Sequence, residues 1–236
     1  TVNPTWRAGQ MRKLLADVAA GALNDIWSQH EGGGGRSLQQ QDHWRAPGAL
    51  LCYSFNPHVF ATRKARSCGP GWMDGTQPRL SAVEWWESAR GNRLRCVRSL
   101  IERCAELREP LAADEAAECD DDNDGARDLL RREVVIFSGS WVLTFQPLVA
   151  AAIYRRFAPL AGAVVWDPSA GWGGRLLGAA AAGNVGVYIG CEPSSQTHEG
   201  LVALNGSVVA PHAPHLRVEL LKQGAVPALV ELGACR

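Results

Sequence analysis

The chain has 236 residues, of which 46% are hydrophobic and 20% are charged, and its acidic and basic side chains balance. This composition is typical of a globular protein, and the length suits one α/β domain with an N-terminal extension. No apolar run approaches the roughly 20 residues that a membrane-spanning helix needs. The first residues also lack the apolar core of a signal peptide. We therefore expect a protein without a membrane partner.

The seven cysteines are scattered along the chain, and no two of them have Cys-x-x-Cys spacing. An odd number of cysteines without a tight framework favours a reducing compartment over a disulfide-rich extracellular fold. The six histidines show no metal-ligand spacing either. The sequence thus predicts an intracellular protein without a metal site, and it leaves the cytoplasm, the nucleus and organelles open.

The first half of the chain predicts helices separated by irregular segments. Residues 8–29 have apolar side chains at helical spacing, and residues 81–107 form a longer pattern of the same kind, which Gly91 could kink. Residues 31–41 are rich in glycine and glutamine and predict a flexible loop. Residues 44–79 combine proline, glycine and aromatic residues, which favours irregular structure.

Charge is unevenly distributed in the region 1–132, because the segment 112–128 is strongly acidic. Asp120 to Gly125 resembles the start of a calcium-binding loop, but Arg131 stands where that loop needs its glutamate. We interpret the segment as a solvated acidic loop. Basic side chains exceed acidic ones over residues 1–110, and these could form a DNA-facing patch or solvated surfaces. The side chains concerned are Arg63, Lys64, Arg66, Arg90, Arg93, Arg95 and Arg98.

From residue 133 to residue 236 the pattern changes to alternating strands and helices. Apolar runs predict the strands, and segments of helix-forming composition separate them. Strands are predicted at 134–137, 163–167, 186–191 and 215–221, and helices at 147–156, 173–182, 195–204 and 226–232. Such alternation predicts an α/β domain with a parallel sheet, which binds ligands at the carboxyl ends of its strands.

The most informative segment is the run 164–175, Val-Val-Trp-Asp-Pro-Ser-Ala-Gly-Trp-Gly-Gly-Arg. Its apolar start predicts a buried strand that ends at Asp167, and a glycine-rich turn and a helix follow. Glycines let the backbone approach a ligand, and a helix start presents unpaired N–H groups. A carboxylate at the strand end repels a pyrophosphate and attracts a cation or a hydroxyl. The segment therefore favours S-adenosylmethionine (SAM) over a nicotinamide dinucleotide.

A second acid closes the next predicted strand. The run Val185 to Cys191 is followed by Glu192, which lies 25 residues after Asp167, about one strand–helix–strand step. An acid in this position commonly accepts hydrogen bonds from the two ribose hydroxyls of a bound nucleoside. The alternative interpretation is an ordinary α/β turn with two solvated acids.

Residues 167–179, Asp-Pro-Ser-Ala-Gly-Trp-Gly-Gly-Arg-Leu-Leu-Gly-Ala, resemble the cofactor-binding motif of class I SAM-dependent methyltransferases. The likeness is closest to DNA-methylase-like proteins of phages, large viruses and microbes. It extends over residues 145–201, with Gln146 in place of the usual arginine, and a weaker similarity covers residues 55–90.

The resemblance implies a Rossmann-like sheet with an N-terminal, mainly helical region, and SAM as the cofactor. Asp167 and the loop glycines would hold the methionine end of SAM, and Glu192 would bind the ribose hydroxyls. The residues that the resemblance implies in cofactor binding are Asp167, Pro168, Ser169, Ala170, Gly171, Trp172, Gly173, Gly174, Glu192, Pro193 and Ser194. Of these, Pro193 and Ser194 would border the adenine.

The resemblance also implies methyl transfer to an exocyclic amino group of a DNA base, adenine N6 or cytosine N4, with DNA as the partner. Enzymes of that kind carry an Asp/Asn/Ser-Pro-Pro-aromatic tetrapeptide, and none occurs in this chain. We therefore expect a chain that is incomplete at its C-terminus, and its catalytic residues stay undetermined. An RNA or protein methyltransferase and a catalytically inactive methyltransferase-like binding module are the alternatives, whereas Asp167 disfavours a nicotinamide-dependent oxidoreductase. The target base and the oligomeric state do not follow from the sequence.

Overall fold

The computed structural model describes residues 4–20, 48–56, 58–59, 81–106, 134 and 144–231. Its contacts divide the chain into two compact units. The first, which we call the sheet unit, comprises Thr1–Asn56 and Leu143–Arg236, and the second, the inserted unit, comprises Pro57–Val142. The predicted boundary between residues 132 and 133, the acidic loop at 112–128 and the loop at 31–41 lie outside the described residues. Of the strand predicted at 134–137, only Val134 is described, and its backbone is helical.

Two N-terminal helices belong to the sheet unit, α1 (Pro4–Ala19) and α2 (Ala49–Phe55). Met11 and Leu14 of α1 and Leu51 of α2 are fully buried and belong to the same hydrophobic core as the residues around the sheet. The described part of the helix predicted at 8–29 is confirmed. Helices α1 and α2 therefore supply part of the core on which the sheet packs.

The inserted unit contains two described helices, α3 (Ala82–Ser88) and α4 (Arg90–Glu106), where one helix was predicted at 81–107. The chain is extended at Ala89, with φ −153° and ψ 139°. The side chains of Ser88 and Asn92 both donate to the Trp85 carbonyl at 2.8 Å, so polar side chains take the acceptor that a continuous helix would use. The predicted kink at Gly91 is wrong, because that residue lies inside α4.

Three parallel strands form the sheet in the order β1 (Ala163–Asp167), β2 (Val185–Cys191) and β3 (Arg217–Leu221). Asp167 pairs with Gly190, and Cys191 pairs with Leu221. The three strands therefore end at the same edge of the sheet. The predicted strands at 163–167, 186–191 and 215–221 are confirmed to within two residues, and so is an α/β architecture with a parallel sheet.

Helices precede, connect and follow the strands. They are α5 (Pro147–Phe157), α6 (Gly174–Ala182), α7 (Ser195–Leu204), which continues through a π-helical turn (Asn205–Val209) into α8 (Ala210–His212), and α9 (Ala225–Glu231). Eight of the nine residues of α6 are buried, and all eight are glycine, alanine or leucine. A Cβ on Gly178 would lie 2.4 Å from the Cβ of Ala150, so α5 and α6 pack at a distance that only small residues allow.

Candidate functional site

The loop from residue 168 to residue 173 joins β1 to α6 and contains two glycines with positive φ, Gly171 at 55° and Gly173 at 92°. A Cβ on Gly173 would meet Leu204 at 2.5 Å, and a Cβ on Gly174 would meet the carbonyl oxygen of Phe145 at 1.8 Å. A Cβ on Gly171 would meet only Ser169, at 3.8 Å. Packing inside the protein therefore accounts for Gly173 and Gly174, and Gly171 alone leaves its space open.

Asp167 is 3% exposed and accepts three hydrogen bonds. They come from Nε of Arg175 at 2.8 Å, from the hydroxyl of Tyr188 at 2.5 Å and from the backbone N–H of Ser169 at 3.1 Å. Burial and the neighbouring Asp167 carboxylate raise the pKa of Tyr188 well above its ordinary value, so this phenol stays protonated and donates. A carboxylate offers about four acceptor positions, so most of its capacity is used inside the protein.

The Arg175 side chain lies across the loop. Its Nε pairs with Asp167, its Nη2 donates to the carbonyl of Ser169, and its guanidinium carbon lies 5.3 Å from the centre of the Phe145 ring. The side chain keeps 30% of its surface exposed. The strand-end carboxylate is thus half of an ion pair. The sequence suggested an uncompensated charge at Asp167, and no local pattern indicated Arg175 and Tyr188 as its partners.

Glu192 follows β2, and its carboxylate has fewer hydrogen bonds than that of Asp167. It is 9% exposed, its Oε1 accepts the backbone N–H of Ser194 at 2.9 Å, and its own N–H donates to the Leu221 carbonyl at 3.0 Å. Among the described residues, Oε2 has no hydrogen-bond partner. The Ser194 hydroxyl in turn accepts the N–H of Thr197 and caps α7. Glu192 is therefore oriented by one oxygen and offers the other as an acceptor.

A cavity of about 220 Å³ lies along the outer side of the loop. Five of the predicted cofactor-binding residues line it, together with three residues outside the predicted set. The lining consists of Thr144, Phe145, Ser169, Ala170, Gly171, Trp172, Gly174 and Arg175. The other six predicted residues do not line this cavity; they are Asp167, Pro168, Gly173, Glu192, Pro193 and Ser194. Pro193 and Ser194 are exposed beyond β2.

Helix α2 supports this cavity from the side of Trp172. The Tyr53 and Trp172 rings are 6.0 Å apart at 48°, and the Asn56 amide donates to the Trp172 carbonyl at 3.4 Å. The Tyr53 hydroxyl accepts the backbone N–H of Thr144 at 3.0 Å. Tyr53 and Asn56 thus hold the two ends of the cavity wall. Tyr53 lies 91 residues before Thr144 and Asn56 lies 116 residues before Trp172, so local sequence patterns could not indicate these contacts.

Among the described residues, no group of three or more His, Cys, Asp or Glu side chains is arranged to hold a metal ion. None of the described helices is long and apolar enough to cross a membrane. A scan against protein-family models and searches of curated proteins and of solved structures find no match for this chain.

Proposed function

We propose that this chain forms the cofactor-binding part of a SAM-dependent methyltransferase with a Rossmann-like sheet. The observation that carries the proposal is Glu192. It follows the strand next to β1 at the carboxyl edge of a parallel sheet, it is fixed through Oε1, and its Oε2 is available. This is the acceptor that a pair of ribose hydroxyls needs.

The loop side of the same edge suits the other end of the cofactor. Gly171 leaves open space at a positive φ, and the cavity beside it is smaller than the roughly 300–1,000 Å³ of typical ligand pockets. A volume of about 220 Å³ fits the amino-acid end of SAM, and the adenosine would extend past Glu192 towards Pro193 and Ser194. When bound, SAM supplies an activated methyl group, so the protein has mainly to orient donor and acceptor.

As the acceptor we propose an exocyclic amino group of a DNA base, adenine N6 or cytosine N4. The resemblance of residues 167–179 to DNA-methylase-like proteins supports this choice. The exposed arginines of α4 add to it, since basic side chains bind the phosphate backbone; they are Arg90, Arg93, Arg95 and Arg98. A catalytically inactive binding module is the second candidate, because the chain has no Pro-Pro-aromatic tetrapeptide.

Isothermal titration of the full chain with SAM tests cofactor binding, and Glu192→Gln is the informative variant. Glutamine keeps an oxygen for the Ser194 N–H but loses the charge of the acceptor. Hydrogen bonds to charged groups contribute about 1.5–3 kcal/mol, so we expect affinity for SAM to fall by about 10- to 100-fold. Glu199→Gln is the matched control, because Glu199 is an exposed carboxylate on α7. Equal affinities of both variants would contradict the proposed role of Glu192.

Transfer of a labelled methyl group from SAM to DNA, RNA and protein then separates the candidates. Labelled DNA supports the proposed acceptor, and labelled RNA or protein assigns another one. SAM binding without transfer to any of the three favours the binding module. If folded protein does not bind SAM, the whole proposal is wrong.

A further inference from the structure

Helix α4 of the inserted unit has an apolar stripe on its exposed side. Leu94, Val97 and Ile101 are spaced by three and four residues, so they lie along one side of the helix, and they are 58%, 41% and 64% exposed. Cys96, on the opposite side, is fully buried. A surface helix normally buries its apolar side chains and exposes its polar ones. In α4 this arrangement is reversed, and an exposed apolar stripe of this kind is typical of an interaction surface.

Arginines border this stripe on both sides. Arg93 precedes Val97 by four residues and lies on one side of the stripe, since residues four apart are neighbours on a helix surface. Arg98 follows Leu94 by four residues and lies on the other side, and Arg90 lies at the N-terminal end. All three arginines are exposed. The surface therefore has an apolar centre with positive charge on either side, and it fits a partner with two rows of negative charge.

We propose that α4 docks in the major groove of duplex DNA, with its arginines against the phosphates of both strands and its apolar stripe against the base edges. The major groove is about 12 Å wide and admits one α-helix, whose diameter is about 10–12 Å. The stripe from Leu94 to Ile101 is about 10 Å long, which matches about three base pairs. Leucine, valine and isoleucine side chains form no hydrogen bonds, and the apolar group that the groove presents is the C5-methyl group of thymine. The helix should therefore prefer DNA that contains thymine.

A second copy of the chain fits this surface less well than DNA does. Two α4 helices paired through their stripes, in either orientation, would place arginines of one copy beside arginines of the other, and facing like charges are destabilising. The inference rests on the proposed DNA acceptor. It is independent of the cofactor, because α4 belongs to the inserted unit and the proposed SAM site belongs to the sheet unit.

The test measures binding of the full chain, at fixed salt, to a fluorescently labelled A·T-rich duplex and to the same duplex with deoxyuridine in place of thymidine. Deoxyuridine keeps the hydrogen-bonding groups and phosphates and lacks only the methyl group. We expect the wild-type chain to bind the thymine duplex about 10-fold more tightly, since each buried methyl group contributes roughly 4-fold. Leu94→Ala/Ile101→Ala should lose this preference and keep its affinity for the deoxyuridine duplex. Val226→Ala/Val230→Ala is the matched control, because it truncates two exposed valines of α9, and it should keep the preference.

The arginines have a different readout, because phosphate contacts carry no sequence information. Arg90→Gln/Arg93→Gln should weaken binding to both duplexes equally and reduce the slope of log affinity against log salt by about 2. All the substituted side chains are exposed, so the melting temperatures of the variants should match that of the wild type. Weaker binding would then not result from poor folding.

Equal wild-type affinity for the two duplexes, or a Leu94→Ala/Ile101→Ala variant with undiminished preference, overturns docking in the groove and favours an acidic protein as the partner of the stripe. The proposed cofactor site stands in either case. A folded wild-type chain that binds SAM but no DNA overturns this inference together with the DNA acceptor. A chain that prefers the thymine duplex but does not bind SAM supports the inference and overturns the proposed function.

Discussion

Replacing Gly174 by alanine places a methyl group where the backbone of Phe145 already lies. The added Cβ would be 1.8 Å from the Phe145 carbonyl oxygen, and real Cβ contacts stay beyond 3.0 Å. The backbone at Phe145 or the start of α6 must therefore move by more than about 1 Å. Overpacking of this kind costs about 1–3 kcal/mol, and rigid backbone favours the upper end. Alanine regains about 1 kcal/mol of helix propensity, which leaves a net loss of about 2 kcal/mol.

Alanine substitutions at two further glycines serve as a second test and as a control for this prediction. Gly178→Ala would bring a Cβ to 2.4 Å from the Cβ of Ala150 and should destabilise the α5–α6 contact to a similar extent. Gly206→Ala is the control, since nothing lies within 4 Å of its Cβ position and its backbone is helical. There we expect a gain of about 0.5–1 kcal/mol.

Hydrogen exchange of peptides covering residues 174–191 measures the stability of the sheet unit separately from that of the inserted unit. Exchange in Gly174→Ala should be faster than in the wild type, and exchange in Gly206→Ala equal or slower. A Gly174→Ala variant that is as well protected as Gly206→Ala would refute the claim that packing requires this glycine. The glycine would then have to be explained by the approach of a ligand.

Three other outcomes follow from the buried polar groups. Arg175→Gln leaves Asp167 buried without its cation and should lower the free energy of unfolding by about 2–4 kcal/mol in urea titrations. Arg175→Lys should lose less, and equal losses would contradict an ion-pair role. Tyr188→Phe removes a hydrogen bond to that carboxylate and should cost about 1.5–3 kcal/mol in the same assay, whereas an unchanged midpoint would show that the bond contributes nothing. Burial raises the pKa of Cys52 from 9.0 to about 12, so the unfolded thiol loses its proton first. Stability should therefore fall as pH rises above about 9, by at most about 1.4 kcal/mol per pH unit for this group. Urea unfolding of Cys52→Ala between pH 8 and 10.5 should show a shallower decline, and parallel declines would contradict this assignment.

The strands and helices after residue 144 could be predicted because their signals are local. The strand that ends at Asp167 is a short apolar run between a helix and a glycine-rich turn, and Pro147 occupies the first turn of α5, where its fixed φ is favourable. Alternation of such runs limits the topology to parallel strands with crossovers. The acids at the strand ends follow directly, since both lie where an apolar run stops.

The break between α3 and α4 could not be read from composition. Gly91 is the residue that propensity marks as weak, but α3 ends at Ser88, where the side chains of Ser88 and Asn92 both donate to the Trp85 carbonyl. Such competition depends on rotamers and on spacing of three to seven residues rather than on the propensity of one residue. Composition also could not show why the loop needs Gly173 and Gly174. Residues distant in the sequence, Leu204 and Phe145, occupy the space that a Cβ at these positions would need.

The ion pair between Asp167 and Arg175 changes the electrostatic argument for the ligand. A bare carboxylate at the end of β1 would by itself favour a cation, and the sequence offers no reason to pair it with an arginine eight residues later. In the structure the loop folds back, the pair forms at 2.8 Å, and the net charge at this point is close to zero. Among the described strand-end acids, Glu192 is then the one without an ion pair. The single acid of the motif therefore does not by itself favour SAM over a dinucleotide, and the proposed cofactor depends instead on Glu192, whose second carboxylate oxygen could accept a ribose hydroxyl.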